Sequence, residues 1–345
     1  MTAASPIDPR VDLGHFHLRV GDADRTLTFY SDVLGFDVVA DLRGIFNPNW
    51  DATGDATFFS AGGYHHHLGA NTWTSAGGLP QADPGAGIEH LGLLLPTREA
   101  LGAVVARLLR AGTPIVAAAT AGPAETVWID DPDGIRLALT WDAGEAAGPR
   151  WTPEPGQALD LEALAAAATD SERSPAQGLV PPVRTAPEPI EPHTRCGHAH
   201  LRTADLDRAR GFYGDTLGWR VLDDDGGGIL RLSADGRREL LAFDDRHSAG
   251  RPRTADGRTG LHHVAIRYPT RAALGDAIRR LRAAGWPEPP HATASPMHTA
   301  AYYDDPDGNT IELHHDHPRE QWRDAYADLA AMAKVSLDEL IAVAD

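Results

Sequence analysis

Cysteine and long apolar runs are the scarcest features of this chain. Cys196 is the only cysteine among 345 residues, so no disulfide can form within the chain and a reducing compartment is expected. No apolar run approaches the roughly 18 residues that a membrane-spanning helix needs. The first residues, MTAASPIDPRVD, lack the basic and apolar segments of a signal peptide. These absences predict a cytoplasmic protein with no membrane partner.

Basic residues are also few. Lys and Arg number 31 against 49 Asp and Glu, which gives a net charge of −18. Because phosphate binding needs clustered Lys and Arg, this balance argues against nucleic acid or an anionic membrane as a partner. The apolar fraction of 42% and the charged fraction of 23% are ordinary for a globular protein. Histidine stands out instead, with 17 residues that are partly clustered.

Several of these histidines lie in an internal repeat. Three pairs of segments match: GHFHLR at 14–19 with GHAHLR at 197–202, residues 87–112 with 260–285, and DDPDGIRLALTWD at 130–142 with DDPDGNTIELHHD at 304–316. The three pairs follow one another in the same order in both halves. The sequence therefore predicts a tandem duplication.

Each half divides again into two units of similar pattern. A short alternating strand leads into an amphipathic helix, and strand-like runs separated by turn signals such as Pro-Asp-Gly follow. This pattern predicts an α+β fold of four βαβββ modules. The predicted divisions are a first domain at 11–142, a proline-rich linker at 143–193 with a short helix near Asp160–Ala168, a second domain at 194–317 and a helical tail at 318–345.

The repeat resembles the vicinal oxygen chelate superfamily, which contains glyoxalase I, bleomycin- and fosfomycin-resistance proteins and type I extradiol dioxygenases. The opening H-x-H-L-R…FY…LG and the closing DPDG-N-x-I-E-L carry the resemblance, over about 13–142 and 196–316. In this family two modules pair into an incomplete barrel. The metal ligands project from the first and last strands of the modules.

The resemblance implies which residues bind the metal. The first-strand histidines at the family's ligand position are His15, His90, His198 and His263. The last-strand acid of the I-E-L pattern is Glu312, whereas module two has Ala138 at that position. One acid allows one two-histidine, one-carboxylate centre, which suits non-haem Fe(II), or alternatively Mn(II). An ion pair of Glu312 with Arg231 or Arg267 is the alternative without a metal.

The module pairing decides which histidine completes the centre. His198 completes it if modules three and four pair, and His15 completes it if modules one and four pair. The segment SAGGYHHH at 60–67 favours His15, because similar segments occur in catechol 2,3-dioxygenase-like proteins and because hydroquinone-cleaving relatives take their ligands from modules one and four. The expected metal site is therefore His15, His263 and Glu312.

Strand alternation across 64–67 would place His65 and His67 on one face, beside the metal, where either could act as an acid–base catalyst. Tyr302 lies ten residues before Glu312, a spacing that resembles that of the active-site tyrosine in extradiol enzymes. By contrast, His314, His315 and His317 are expected to form a solvated edge.

The resemblance implies a non-haem Fe(II) extradiol dioxygenase that cleaves a catechol or hydroquinone-like aromatic with O₂. A glyoxalase-type isomerase or lyase is an alternative, although it normally needs a second acid, and module two has Ala138 instead. A metal-free small-molecule-binding resistance protein is another alternative, but such a protein has no use for a His263 and Glu312 pair. The sequence leaves open whether the chain forms a homo-oligomer.

Overall fold

The computed structural model describes most of the chain. The described residues are 5–45, 54–80, 85–144, 157–168, 180–224, 227–251, 253, 257–322, 326 and 333–342.

Four modules repeat one order of elements, a strand, a helix and three strands. The first contains β1 (Asp12–Arg19), α1 (Ala23–Leu27), a π-helix (Thr28–Val33), β2 (Asp37–Asp41), β3 (Ala56–Ser60) and β4 (Leu68–Asn71). The second contains β5 (Gly87–Leu94), α2 (Arg98–Ala111), β6 (Ile115–Ala121), β7 (Ala124–Asp130) and β8 (Arg136–Asp142).

The second half of the chain repeats this order after the connecting segment between β8 and the third module. That segment contains β9 (Gln157–Ala158) and α3 (Leu161–Ala166). The third module contains β10 (Arg195–Arg202), α4 (Leu206–Ala209), a π-helix (Arg210–Thr216), β11 (Arg220–Asp224), β12 (Ile229–Ser233) and β13 (Leu241–Asp244). The fourth contains β14 (Gly260–Arg267), α5 (Arg271–Ala283), β15 (Ala292–Ala294), β16 (His298–Asp304) and β17 (Thr310–Asp316). The predicted α+β fold of four βαβββ modules is confirmed.

The module helices begin at polar caps. The side chains of Asp22, Thr97, Asp205 and Thr270 each accept a hydrogen bond from the backbone N–H three residues further on. Such caps satisfy N–H groups that have no partner within the helix. Gly35 follows the first of these helical segments with a φ of +91°, and a Cβ there would lie 2.4 Å from the carbonyl oxygen of Glu188. Glycine is therefore required at this turn.

The modules pair crosswise into two nine-stranded sheets. Modules one and four form sheet 1, in which β1 runs antiparallel to β14, and modules two and three form sheet 2, in which β10 runs antiparallel to β5. Each sheet therefore combines strands from both halves of the chain. The two sheets have equivalent central strands, with β4 and β17 flanking the pair in sheet 1, and β13 and β8 flanking it in sheet 2.

Alternation along β1 separates the apolar core from a polar face. Phe16 and Leu18 are fully buried in the main apolar core, together with side chains of the module helices. Because neighbouring residues of a strand point to opposite faces, His15 and His17 project from the other face of sheet 1. That second face carries the candidate site.

The linker and the tail add small elements at the edges of the sheets. Within the linker, α3 lies one residue inside the start of the predicted helix, with Asp160 as its cap, and packs against α2. In the tail, a 3₁₀ turn (Arg319–Gln321) precedes β18 (Ala333–Val335), which pairs with β15, and α6 (Leu337–Ile341). Much of the predicted helical run lies outside the described residues, and the predicted domain boundaries stay predictions. Among the described residues, no helix is both long and apolar enough to cross a membrane.

Candidate metal centre

Sheet 1 brings His15, His263 and Glu312 together on its polar face. His15 Nε2 lies 3.1 Å from His263 Nε2 and 3.1 Å from Glu312 Oε2. His263 Nε2 lies 3.0 Å from the same carboxylate oxygen. The three donor atoms thus form a nearly equilateral triangle, which we call the triad.

The register of the sheet creates this triangle. β1 and β14 are antiparallel neighbours, with His17 opposite His263 and an irregular register at His15. β17 runs parallel to β14 and places Glu312 opposite Ala265. Three adjacent central strands therefore each supply one donor atom.

The triangle fits a divalent cation. Ligand bonds from histidine and carboxylate are about 2.1 Å long, so two ligands at a right angle lie about 3.0 Å apart. The observed edges of 3.0–3.1 Å correspond to three ligands on one face of an octahedron. A two-histidine, one-carboxylate face of this kind is typical of non-haem iron sites, and it leaves the opposite face open.

The charge states of the triad side chains also suit the binding of a divalent cation. All three side chains are buried. Burial lowers the pKa of His15 to about 3, so its imidazole is neutral and able to bind a metal. Burial alone would raise the pKa of Glu312, but His15, His263 and His298 outweigh it and hold that pKa well below its ordinary range. The site therefore presents a buried carboxylate, which requires a cation.

Tyr302 lies beside the triad, as its spacing from Glu312 suggested. It stands opposite Glu312 in the antiparallel pairing of β16 with β17, and its ring centroid is 5.5 Å from that of His263. Burial, together with the nearby Glu312 carboxylate, raises the pKa of the Tyr302 phenol well above its ordinary value. The hydroxyl therefore keeps its proton.

The histidine segment at 64–67 differs from the expected strand. Tyr64–His67 form an irregular segment with bends at His65 and His67 before β4, so the alternation that pointed to His65 and His67 does not apply. His65 Nε2 lies 3.1 Å from Asp316, and the Nδ1 of His67 accepts a hydrogen bond from the Ala61 N–H at 3.1 Å.

His66, which the sequence analysis did not assign, lies closer to the triad. Its ring centroid is 4.1 Å from that of His15, compared with 5.9 Å for His65. Its Nδ1 is 2.9 Å from the hydroxyl of Tyr326, and burial holds its pKa well below the ordinary value.

Two further histidines face the site from the last two strands of module four. His298 Nε2 lies 3.2 Å from Glu312 Oε1, the carboxylate oxygen that points away from the two triad histidines. His314 has an exposed fraction of 0%, so the expectation of a solvated edge was wrong for this residue. Its ring fits because Gly14 on β1 has no side chain, and a Cβ there would lie 2.2 Å from His314 Nε2. His315 and His317 are only partly buried.

Apolar and aromatic side chains surround the histidines. The buried cluster consists of Val39, Ala40, Leu42, Ala56, Phe58, Val180, Met297 and Trp322, with Tyr64, Trp73 and Tyr326 packed against it. On the side of the triad nearest His263, the His17 ring lies 4.7 Å from His262 and 5.7 Å from Trp73. Flat ring surfaces thus line one wall beside the triad. A separate cavity of about 690 Å³, lined by residues such as Asp12, His198 and Arg238, does not include the triad.

His198, the alternative ligand, lies in sheet 2 instead. Its Nε2 is 2.9 Å from that of His90, which repeats the pairing of His15 with His263. The position equivalent to Glu312 is Ala138, which stands opposite Gly92. Arg231, one of the two residues considered as ion-pair partners of Glu312, lies in this sheet, 3.3 Å from Glu239.

The fold and the site together define a protein of paired βαβββ modules with a candidate metal centre on one sheet. The family model of the Glyoxalase/Bleomycin resistance protein/Dioxygenase superfamily matches residues 12–139 and 195–313. The chain belongs to this superfamily, and the resemblance found in its sequence is confirmed.

Among characterised relatives, a catechol-2,3-dioxygenase of Bacillus subtilis is 39% identical over 100 residues, covering 29% of this chain and 32% of the relative. A biphenyl-2,3-diol 1,2-dioxygenase of Rhodococcus globerulus is 32% identical over 119 residues, covering 34% and 62%. The chain thus matches less than two thirds of the length of either relative. A putative dioxygenase structure from Bacillus subtilis has a TM-score of 0.62 at 16% identity and covers 98% of this chain and 91% of its own. At that identity the likeness shows the fold alone.

Proposed function

We propose that this protein is a non-haem Fe(II)-dependent extradiol dioxygenase that cleaves a catechol or hydroquinone-like aromatic. The facial triangle of His15, His263 and Glu312 carries the proposal, because its three donor atoms lie 3.0–3.1 Å apart. The partial similarity to relatives named as catechol and biphenyl-diol dioxygenases supports the same reaction class.

The triad would hold the metal, with Mn(II) as the alternative to Fe(II). An ion held by these residues would supply open coordination positions and the redox chemistry that activation of O₂ requires. Both oxygen atoms of O₂ enter the ring-opened product.

His66 is the group best placed to take a proton from the substrate. It is neutral, buried and next to His15, and its Nδ1 is occupied by contacts with His65 and the Tyr326 hydroxyl. Its Nε2 is therefore the atom that would accept a phenolic proton and return it during ring opening. This assignment replaces His65 and His67 as the first candidate, because Asp316 and the Ala61 N–H already engage those side chains.

Tyr302 would orient the substrate. Its phenol stays protonated and can donate a hydrogen bond to a substrate oxygen next to the triad. The rings of His17, Trp73 and His262 offer flat surfaces for the aromatic ring of the substrate. A small aromatic substrate suits this wall better than a flexible aliphatic one.

Anaerobic purification followed by metal analysis and a catechol assay tests the proposal. We expect about one iron per chain from a site of this type, oxygen uptake, and a yellow ring-opened product. Glu312→Ala should lose the iron and the activity, whereas His315→Ala, a neighbouring histidine outside the triad, should retain both. Unchanged activity in Glu312→Ala would rule out the dioxygenase proposal.

A further inference from the structure

A second group of imidazoles lies beside the triad. The donor nitrogens of His65, His298 and His314 all lie within 4.8 Å of one another, and all three side chains are buried. Their ring centroids are 5.2, 5.4 and 6.1 Å apart, close to the 5.3 Å between the two triad histidines. We call this group the trio.

The trio can be occupied at the same time as the triad. Among the described residues, four groups of side chains could hold a metal, and one of them is the triad. Two others use His15 or His263 and would compete with the triad for the same ligands. Only the trio shares no residue with it.

Buried nitrogens of the trio lack hydrogen-bond partners. Nδ1 of His298 and Nε2 of His314 are enclosed and make no hydrogen bond within the described residues, and Nδ1 of His314 has only the Asp316 carboxylate at 3.4 Å. Unsatisfied buried nitrogens of this kind require a partner, and a cation would satisfy several at once.

Two carboxylates are positioned to orient the trio. Asp316 Oδ1 lies 3.1 Å from His65 Nε2 and 3.4 Å from His314 Nδ1, and the Tyr64 hydroxyl donates to Asp316 Oδ2 at 3.1 Å. Glu312 Oε1 lies 3.2 Å from His298 Nε2, so Nδ1 of His298 is the nitrogen left for an ion. Carboxylates commonly orient metal-binding histidines through the second ring nitrogen in this way.

The equivalent positions in sheet 2 hold no such group. Aligning 60–71 with 233–244, and 124–142 with 298–316, places Arg238, Ala124 and Thr140 at the positions of His65, His298 and His314. The trio is therefore found only in the sheet that carries the triad.

We propose that the trio is a second cation site, which takes a divalent transition metal such as Zn(II). Three imidazoles with a nearby carboxylate favour Zn(II), Cu(II) or Fe(II) over Mg²⁺ and Ca²⁺, which prefer oxygen ligands. An ion there would fix His298 and, through it, the second oxygen of Glu312. The proposal does not depend on the reaction assigned to the triad.

Cobalt(II) binding to the chelator-treated full chain tests the site. We expect about two equivalents for the unchanged chain, because each histidine-rich site takes one ion. His314→Ala and Glu312→Ala should each bind one equivalent, and the double variant should bind none. His315→Ala is the matched control and should bind two.

The outcomes separate this proposal from the proposed function. One contrary result is a single equivalent of cobalt(II) in the unchanged chain that is retained in His314→Ala and lost in Glu312→Ala. That result would overturn the second site and leave the triad proposal intact. Two equivalents that Glu312→Ala retains would instead count against the triad. Because His314 is buried, His65→Ala serves as a second variant, with circular dichroism to verify folding. The number of cobalt(II) equivalents bound by the unchanged chain tests the second site without any substitution.

Discussion

The two sheets are built alike, yet only one carries a complete triad. In each sheet the first strands of two modules run antiparallel and bring two histidines together, His15 with His263 and His90 with His198. The strand that would supply the acid also has the same register, with Glu312 opposite Ala265 and Ala138 opposite Gly92. At the triad positions, the difference is thus one side chain rather than the backbone.

A second difference shows that position matters as much as residue type. Sheet 2 does contain a buried acid, Glu239, at the position equivalent to His66. Burial raises the pKa of Glu239 to about 8 despite Arg231 nearby, and neither carboxylate oxygen has a hydrogen-bond partner among the described residues. Glu312 sits between imidazoles and has a low pKa. An acid therefore becomes a candidate ligand only where the strand register places it beside the histidines.

Replacing the two first-strand histidines separately should give the largest contrast. His15→Ala removes a triad ligand, so we expect loss of bound iron and a fall in kcat/KM of about 1,000-fold or more. His198→Ala alters only sheet 2 and should retain the metal and most of the activity. Metal analysis and catechol turnover of both variants test this expectation. Equal losses of metal and activity in the two variants would contradict the assignment of the metal site to sheet 1 alone.

The next contrast concerns the equivalent pair His66 and Glu239. His66→Gln should lower kcat by about 100-fold while the iron remains bound, because a proton acceptor is lost rather than a ligand. Glu239→Gln should leave kcat nearly unchanged. Steady-state kinetics with iron content measured in the same samples would distinguish the two effects. Loss of iron from His66→Gln would assign it to metal binding instead.

Introducing an acid in sheet 2 at the position equivalent to Glu312 should add a metal site. Ala138→Glu places a carboxylate beside His90 and His198, and we expect one additional equivalent of cobalt(II) relative to the unchanged chain. Overpacking of this buried position should cost about 1–3 kcal/mol of folding stability. Ala138→Gln has the same size without the charge and should add no equivalent. An unchanged count in a folded Ala138→Glu variant would show that sheet 2 differs in more than one side chain.

The smallest expected effect is on the pH dependence of stability. The pKa of Glu239 is about 8 in the folded protein, whereas an unfolded glutamate titrates near its ordinary pKa of 4.5. Between these values the unfolded chain releases a proton that the folded chain retains, so the free energy of unfolding falls as pH rises across this window. Glu239→Gln has no carboxyl group to titrate. Its free energy of unfolding should therefore fall less between pH 5 and pH 8, by an amount on the order of a few kcal/mol. Urea unfolding at pH 5 and pH 8 measures the difference, and parallel curves for both proteins would contradict it.

Much of the fold and part of the site could be predicted from the sequence. The repeated segments and helix signals indicated four βαβββ modules, because such patterns depend on local periodicity and turns. The candidate ligands could also be identified, since Glu312 within an apolar strand and the histidines that open first strands are local features. Tyr302 was found by its spacing along a regular hairpin.

Other parts of the site depend on contacts that no local pattern encodes. His15 and Glu312 are nearly 300 residues apart, and their contact follows from the crosswise pairing of modules one and four. His66 rather than His65 lies against His15, because Tyr64–His67 form an irregular, bent segment before β4 instead of a strand.

His314 shows most clearly the difference between what the sequence predicts and what the tertiary structure decides. It was predicted to lie on a solvated edge, yet it is buried, because Gly14 on β1 leaves space for its ring where a side chain would not fit. The sequence by itself determined the modules and the kinds of candidate ligand, through periodicity and residue chemistry. The tertiary structure alone decided that His66 lies against His15 and that His314 is buried, because contacts between distant segments are set by the packing of whole modules.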